Sequence, residues 1–195
     1  MKMHDIFGPG SNFEGRFVSD HAELVKRVVA CRQLGLKIVL TSGTFDIHHV
    51  GHSRYLEKGK ELAQGGILVV GVDNDEKVHK RKGNGRPVVA EQERMEVLCH
   101  LRHVDLVTLK SLNAPQWELI GLIKPDVLLI TQETYDTPEG LKKLEDFCAE
   151  FGCKVVQLPP QATTSTTARI RLLMLSMKDE VKKKLEEVIR WIDEI

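Results

Sequence analysis

Two imidazoles three residues apart, His49 and His52, flank Gly51 in the stretch IVLTSGTFDIHHVGHSRYLEKGKELA. Ile38, Val39 and Leu40 form a short apolar run that reads as a buried strand. Small residues from Thr41 to Thr44 break it. From there His52, Tyr55, Leu56, Gly59 and Ala63 fall on one helical face. A helix that begins straight after such a turn offers free N–H groups and the positive end of its dipole, which suits phosphate. In a first helical turn the two rings point the same way, and Gly51 lets a ligand approach the backbone closely. A zinc site would need a third ligand, and only Asp46 stands nearby, so phosphate fits better.

A second stretch is basic: Lys77, His79, Lys80, Arg81 and Lys82, then Gly83-Asn84-Gly85-Arg86-Pro87. A charge run is ordinarily a solvated loop. This one follows the apolar strand Ile67 to Val72 and the acidic turn Asp73-Asn74-Asp75, and open α/β sheets bind ligands beyond the carboxyl ends of their strands. That position favours a binding role. Arg94 falls in the first turn of a helix predicted over 91–103, where a cation opposes the dipole. Either an anionic ligand or a pair with Glu91 accounts for it. In the third stretch, Gln161 to Arg171, five hydroxyls crowd a predicted helix start. One suffices for a cap. The others, with Arg169 and Arg171, fit a second phosphate cradle.

These stretches need a frame, and the rest of the chain alternates strand with helix. A helix capped by Ser19-Asp20 runs to about Gln33, with Leu24, Val28 and Cys31 inward, and Gly35 ends it. Strands are predicted at 38–40, 67–72, 105–109, 127–130 and 154–158, and further helices at 113–122 and 138–151. The alternation predicts an α/β fold with a doubly wound, five-stranded parallel sheet, Rossmann-like in type. Residues 1–18 read as an irregular segment and 19–177 as the domain. Residues 178–195 read as an amphipathic helix, with Val181, Leu185, Val188 and Ile192 to be covered by the domain or by a second subunit. With 195 residues, 42% hydrophobic and net charge +0, the chain can bury one core and has no charge excess for nucleic acid or an anionic membrane. It has no apolar run of about 18 residues and no signal-peptide core at its start. Its four cysteines form no CxxC and read as buried thiols, so a cytoplasmic protein without structural metal is expected.

Gly43-Thr44-Phe45-Asp46 followed by His49-Val50-Gly51-His52, set between strand and helix, resembles the first signature of the cytidylyltransferase-like nucleotidyltransferases, the HxGH fold. Lys82-Gly83-Asn84-Gly85-Arg86-Pro87, Glu91 to Arg94, and Ser165-Thr166-Thr167 follow in the order of the KGxxRP, ExR and STT segments of the nucleotidyltransferase domain of bacterial ADP-heptose synthase. From Gly15 to about Arg171 the chain is similar to that branch. It departs from the branch at Thr131 to Tyr135, where Lys-Gly-Gly-Asp-Tyr is usual, and at His48, which is usually apolar. Its GTFD resembles the glycerol-phosphate and aminoalcohol-phosphate cytidylyltransferases.

The resemblance implies in-line attack of a substrate phosphate on the α-phosphorus of a nucleoside triphosphate, with loss of pyrophosphate. It implies that His49 and His52 hold the triphosphate and stabilise the charge that builds up. The N–H groups of Thr44 and Phe45 meet the α-phosphate region, and Gly43 and Gly51 belong to the nucleotide-binding set. Lys82, with Lys80, holds the acceptor phosphate, and Arg94, Ser165, Thr166 and Thr167 hold the β- and γ-phosphates. Asp46 and Asp73 stand as outer ligands or base contacts, and Mg2+ bridges the phosphates without a dedicated protein metal site. The expected substrates are ATP or CTP and a phosphorylated sugar or polyol, first a heptose 1-phosphate. The alternatives are a glycerol-phosphate or aminoalcohol-phosphate cytidylyltransferase and a non-catalytic nucleotide-binding protein. A homodimer is expected because the resembling families are commonly oligomeric.

Overall fold

The computed structural model describes residues 13–193, apart from 84, 136, 164 and 165. Five parallel strands form one sheet: β1 (Ile38–Gly43), β2 (Ile67–Val72), β3 (Leu106–Leu109), β4 (Val127–Thr131) and β5 (Lys154–Leu158), in the order β3-β2-β1-β4-β5. The order reverses between β1 and β4. At such a switch point the loops leaving adjacent strands part to opposite faces and open a crevice.

Side-chain alternation along the strands builds two cores. Ile38, Leu40, Ile67, Val69, Leu128 and Ile130 pack with α2 (His21–Gln33), α6 (Glu118–Ile123) and α7 (Pro138–Ala149) through Leu24, Val28, Ile120 and Leu144. Val39, Leu68, Val70, Val127 and Leu129 pack on the other face with α3 (Val50–Ala63) and α5 (Glu91–Cys99) through Tyr55, Leu56, Met95 and Leu98. Both faces are covered, so the strands read as continuous apolar runs. This is the doubly wound, five-stranded architecture expected from the sequence.

Several elements differ in extent from their sequence pattern. The basic run is not a loop. It is the helix α4 (Asp75–Lys82), because the Asn74 side chain accepts from Lys77 N at 2.8 Å and caps it. The helix expected over 113–122 is shorter, because Trp117 takes a left-handed conformation (φ 64°) and helical geometry begins only at Glu118. Of the segment expected to be irregular, Phe13–Arg16 forms one turn, α1, and Phe17 bridges Val107 beside β3. Arg16 donates to Cys99 O, Leu101 O and Val104 O at 2.9–3.0 Å, satisfying carbonyls beyond the last turn of α5. The final helix, α8 (Thr166–Asp193), runs unbroken past residue 177, so the amphipathic stretch is the distal part of a longer helix. Leu172, Met174, Met177 and Leu185 on it are all more than half exposed. No helix among the described residues is long and apolar enough to cross a membrane.

Candidate active site

The loop between β1 and α3 is strained. Phe45 (φ 52°) and Ile47 (φ 44°) both lie in the left-handed region, which non-glycine residues avoid. The bend delivers His49 to the N-cap of α3, where its Nδ1 accepts from Gly51 N at 3.1 Å. Burial, then the Arg169 charge, lowers the His49 pKa. A neutral ring that accepts at Nδ1 carries its proton on Nε2, which leaves a donor for a ligand. His52 stacks on His49 with ring centroids 3.9 Å apart. Its Nδ1 is buried with no protein partner. Burial first, then His49 and His48, pushes the His52 pKa down to about 3, against the pull of Asp46. Gly51 has no substitute here: a Cβ would stand 2.9 Å from the His49 ring and 3.2 Å from Ala162.

These groups line a cavity of about 1180 Å3 that also takes in Gly43, Thr44, Phe45, Asp46, Asp73, Lys77, Arg81, Lys82, Arg86, Lys110, Trp117 and Tyr135. Single-ligand pockets hold roughly 300–1,000 Å3, so there is room for two substrates side by side. The cavity spans the switch point. Residues after β5 close one end against α3: Arg54 donates to Gln161 O at 3.4 Å, and Ala162 faces Gly51. Residues after β2 and β3 form the other end.

That other end is organised by two buried carboxylates. Asp46 accepts from Val88 N and Val89 N at 3.0–3.1 Å and pairs with Arg86 at 3.3 Å, pinning the segment after α4 over the cavity. Asp73 accepts from Lys110 Nζ at 2.9 Å, Arg81 at 2.8 Å and Thr44 Oγ1 at 3.2 Å. Burial pushes the Asp73 carboxyl up, but Lys110 and Arg81 outweigh it and hold it at about 2. Lys82 stands on the rim, with its pKa lowered by desolvation and then by Arg81 and Arg86.

The sequence-predicted residues divide accordingly. His49, Gly51, His52, Gly43, Thr44, Phe45, Asp46, Asp73 and Lys82 come together on one cavity. Arg94 and Lys80 do not. Arg94 is buried and clasps the loop from behind: Nε donates to Val89 O at 2.9 Å, NH1 to Thr44 O, and NH2 to Asp73 O at 2.8 Å and Asp75 Oδ1 at 2.6 Å. Its adverse place in the α5 dipole is offset by Asp75, not by Glu91, whose carboxylate accepts from Asp75 N at 2.7 Å. Lys80 pairs with Glu76 at 2.8 Å on the outer face of α4. Both oxygens of Asp46 and of Asp73 accept from protein donors. Ser165 lies outside the described residues, as do the side chains of Thr166 and Thr167, although α8 begins at Thr166. Sequence reasoning missed Lys110, Trp117 and Tyr135. Lys110 carried one usable signal: it is the first residue beyond a strand's carboxyl end.

A profile of the cytidylyltransferase-like family matches residues 40–190. The chain belongs to the cytidylyltransferase-like family. It is 38% identical over 149 residues to the bifunctional protein HldE of Desulfatibacillum aliphaticivorans, covering 76% of this chain and 29% of that one. It is 46% identical over 93 residues to HldE of Helicobacter pylori (strain HPAG1), covering 48% and 19%. The chain therefore spans less than a third of the length of these relatives. A solved lipopolysaccharide core biosynthesis protein from Thermoplasma volcanium GSS1 superposes with TM-score 0.51 at 27% identity, over 65% of this chain and 97% of that one. A pantoate-beta-alanine ligase from Francisella tularensis gives TM-score 0.52 at 16% identity, over 74% and 66%, a likeness of fold alone.

Proposed function

We propose that this chain transfers a nucleoside monophosphate from ATP or CTP to a phosphorylated sugar or polyol with release of pyrophosphate, and that its acceptor is of the heptose 1-phosphate type. The observation that carries the reading is the neutral, stacked pair His49 and His52 at the start of α3, on a cavity sized for two substrates. Phosphoryl-type transfer needs positioning and charge stabilisation more than a protein nucleophile. His49 Nε2–H donates to the triphosphate, and His52, desolvated beside it, supports charge as it develops on the transferred group. The N–H groups after Gly43 meet the α-phosphate. Lys82 holds the acceptor phosphate, and Ser165, Thr166 and Thr167 receive the β- and γ-phosphates.

Mg2+ fits this site as a companion of the nucleotide. It binds phosphate oxygens and water readily, and the two cavity carboxylates are already engaged. When bound it offsets phosphate charge. The orientation of the acceptor against the nucleotide rests on the chain's own cations. The exposed apolar residues of α8 support a homodimer formed through that helix, in a cytoplasmic protein. Sedimentation at micromolar concentration tests the dimer, and a monomer there defeats it.

The test of activity is pyrophosphate release across four nucleoside triphosphates and a panel of sugar, polyol and aminoalcohol phosphates. ATP with a sugar 1-phosphate is the expected productive pair. CTP with glycerol 3-phosphate or phosphocholine would move the chain to the cytidylyltransferase side. Nucleotide binding with no release for any pair would defeat the reading.

A further inference from the structure

His48 is the one histidine of the cluster that the transfer reading leaves without a task. We propose that it is a positioning residue: one enclosed water joins His48 Nδ1 to His52 Nδ1 and holds His52 in the tautomer that presents Nε2–H to the transferred phosphate. This rests on the nucleotidyl-transfer reading above and adds to it a side chain that touches neither substrate.

Three imidazoles crowd the start of α3. His52 stacks on His49. His48 stands 5.4 Å from His52 between ring centroids, tilted by 42°. Its Nε2 is bonded to Ser53 Oγ at 2.9 Å, which fixes the ring from the first turn of α3. That leaves His48 Nδ1, which is buried without a protein partner, and so is Nδ1 of His52. Apart from one nitrogen of Arg86, these are the only such side-chain atoms among the described residues. They sit on neighbouring rings.

A buried polar atom left unsatisfied is costly, and two side by side share one remedy. A water is held inside a protein by two or more polar partners, and the two Nδ1 atoms supply them. Burial first, then His49, lowers the pKa of His48, and His52 is lowered as well. Both rings are therefore neutral, and each carries one proton. A neutral ring that accepts at Nδ1 has that proton on Nε2. In His48 the Nε2–H donates to Ser53 Oγ. In His52, which lines the cavity, the Nε2–H is left for a ligand. An apolar side chain in place of His48 would fill space beside His52 and select neither tautomer. Shut between two rings, the water is not bulk solvent, and the imidazoles stay neutral.

Three substitutions separate this link from the Ser53 bond. Asparagine places its amide near the position of Nδ1, and glutamine reaches toward that of Nε2. His48→Asn thus keeps a partner for the water and loses Ser53, His48→Gln does the reverse, and His48→Leu loses both. Imidazole nitrogen NMR of the free protein at neutral pH reads the tautomer, because protonated and unprotonated ring nitrogens have widely separated shifts. Wild type and His48→Asn should show His52 protonated at Nε2. His48→Gln and His48→Leu should show it exchanging between tautomers. In pyrophosphate release, kcat of those two should fall roughly 10- to 100-fold, the range seen when a ligating imidazole loses its outer partner. KM for the triphosphate should change little, and His48→Asn should stay near wild type.

His52 protonated at Nδ1 in the wild type would overturn the proposal, as would an unchanged His52 tautomer in His48→Gln and His48→Leu. Normal turnover in His48→Gln with impaired turnover in His48→Asn would also overturn it, because the Ser53 bond alone would then matter. If no nucleotide and acceptor pair turns over, the transfer reading falls, and the tautomer shifts still decide the link between the rings. If turnover is normal and the tautomer does not respond, the link falls and the transfer reading stands.

Discussion

The two ends of the cavity solve the problem of an anionic ligand in opposite ways. At the histidine end the groups are neutral, desolvated and short of partners: two stacked rings, one with a buried nitrogen that nothing in the protein satisfies. At the β2–β3 end the groups are charged and well partnered, each buried carboxylate holding a cation. A neutral donor gains most when charge appears beside it during reaction. A fixed cation attracts a charge that is present throughout. On the proposed reading, the histidine end would meet the changing charge of the transferred group and the β2–β3 end the standing charge of a substrate phosphate. Removing a residue from each end should therefore damage different quantities.

The largest effect should come from a residue that faces neither end. Arg94→Met leaves Asp75 without its cation and the carbonyls of Thr44 and Asp73 without their donor. Breaking a buried pair in this way costs about 3–5 kcal/mol, so the denaturation midpoint should fall sharply. If stability held and only triphosphate affinity dropped, Arg94 would belong to the ligand and the clasp would be incidental.

His52→Ala comes next and sharpens the histidine end. Turnover should fall roughly 100-fold or more, the scale of losing one preorganised donor. Stability should hold or rise slightly, because the variant also removes a buried nitrogen that has no partner. Near-normal kcat in a folded His52→Ala protein would remove the ring from the chemistry. At the other end, Lys82→Ala should weaken acceptor binding by about 1.5–3 kcal/mol and nucleotide binding by less. An equal loss for both ligands, measured in separate titrations, would dissolve the distinction between the two ends.

Much of this frame was legible in the sequence, because β1, β2 and β4 carry apolar runs buried on both faces and their pattern survives without any tertiary knowledge. The histidine end was legible too, since strand, tight turn and HxGH are contiguous. The cationic end was not. Lys80, Arg81 and Lys82 are neighbours in a charge run, and only the α4 cap at Asn74 sets the helical phase that turns Lys80 toward Glu76 and Arg81 toward Asp73. Lys110 is distant in sequence, and what selects it is the β2–β3 pairing that sets Val72 opposite Leu109. Arg94 misled for a related reason. A cation against a helix dipole signals an anion, but the anion was Asp75 of the preceding helix and not a ligand.

The smallest predicted effect is a slope with pH, and it tests whether the histidine end is as dry as its geometry implies. His52 has a folded pKa of about 3, against roughly 6.5 in an unfolded chain. Between those values the unfolded chain takes up a proton that the folded chain refuses. Stability is therefore greatest above about pH 6.5 and falls on acidification by up to about 1.4 kcal/mol per pH unit. His48 and His49 are lowered as well, and they act in the same direction. Asp73 also loses stability toward acid, but that loss begins only as pH falls to the ordinary Asp value of 3.8 and runs down to its folded pKa of about 2. Urea midpoints between pH 6.5 and 5 thus report the histidines and not Asp73. His52→Gln should flatten the slope there, and a bound triphosphate should flatten it in the wild type, because the anion makes an imidazolium tolerable. A wild-type slope that His52→Gln leaves unchanged would mean that the ring is already hydrated and that the contrast between the two ends is weaker than the burial of its Nδ1 implies.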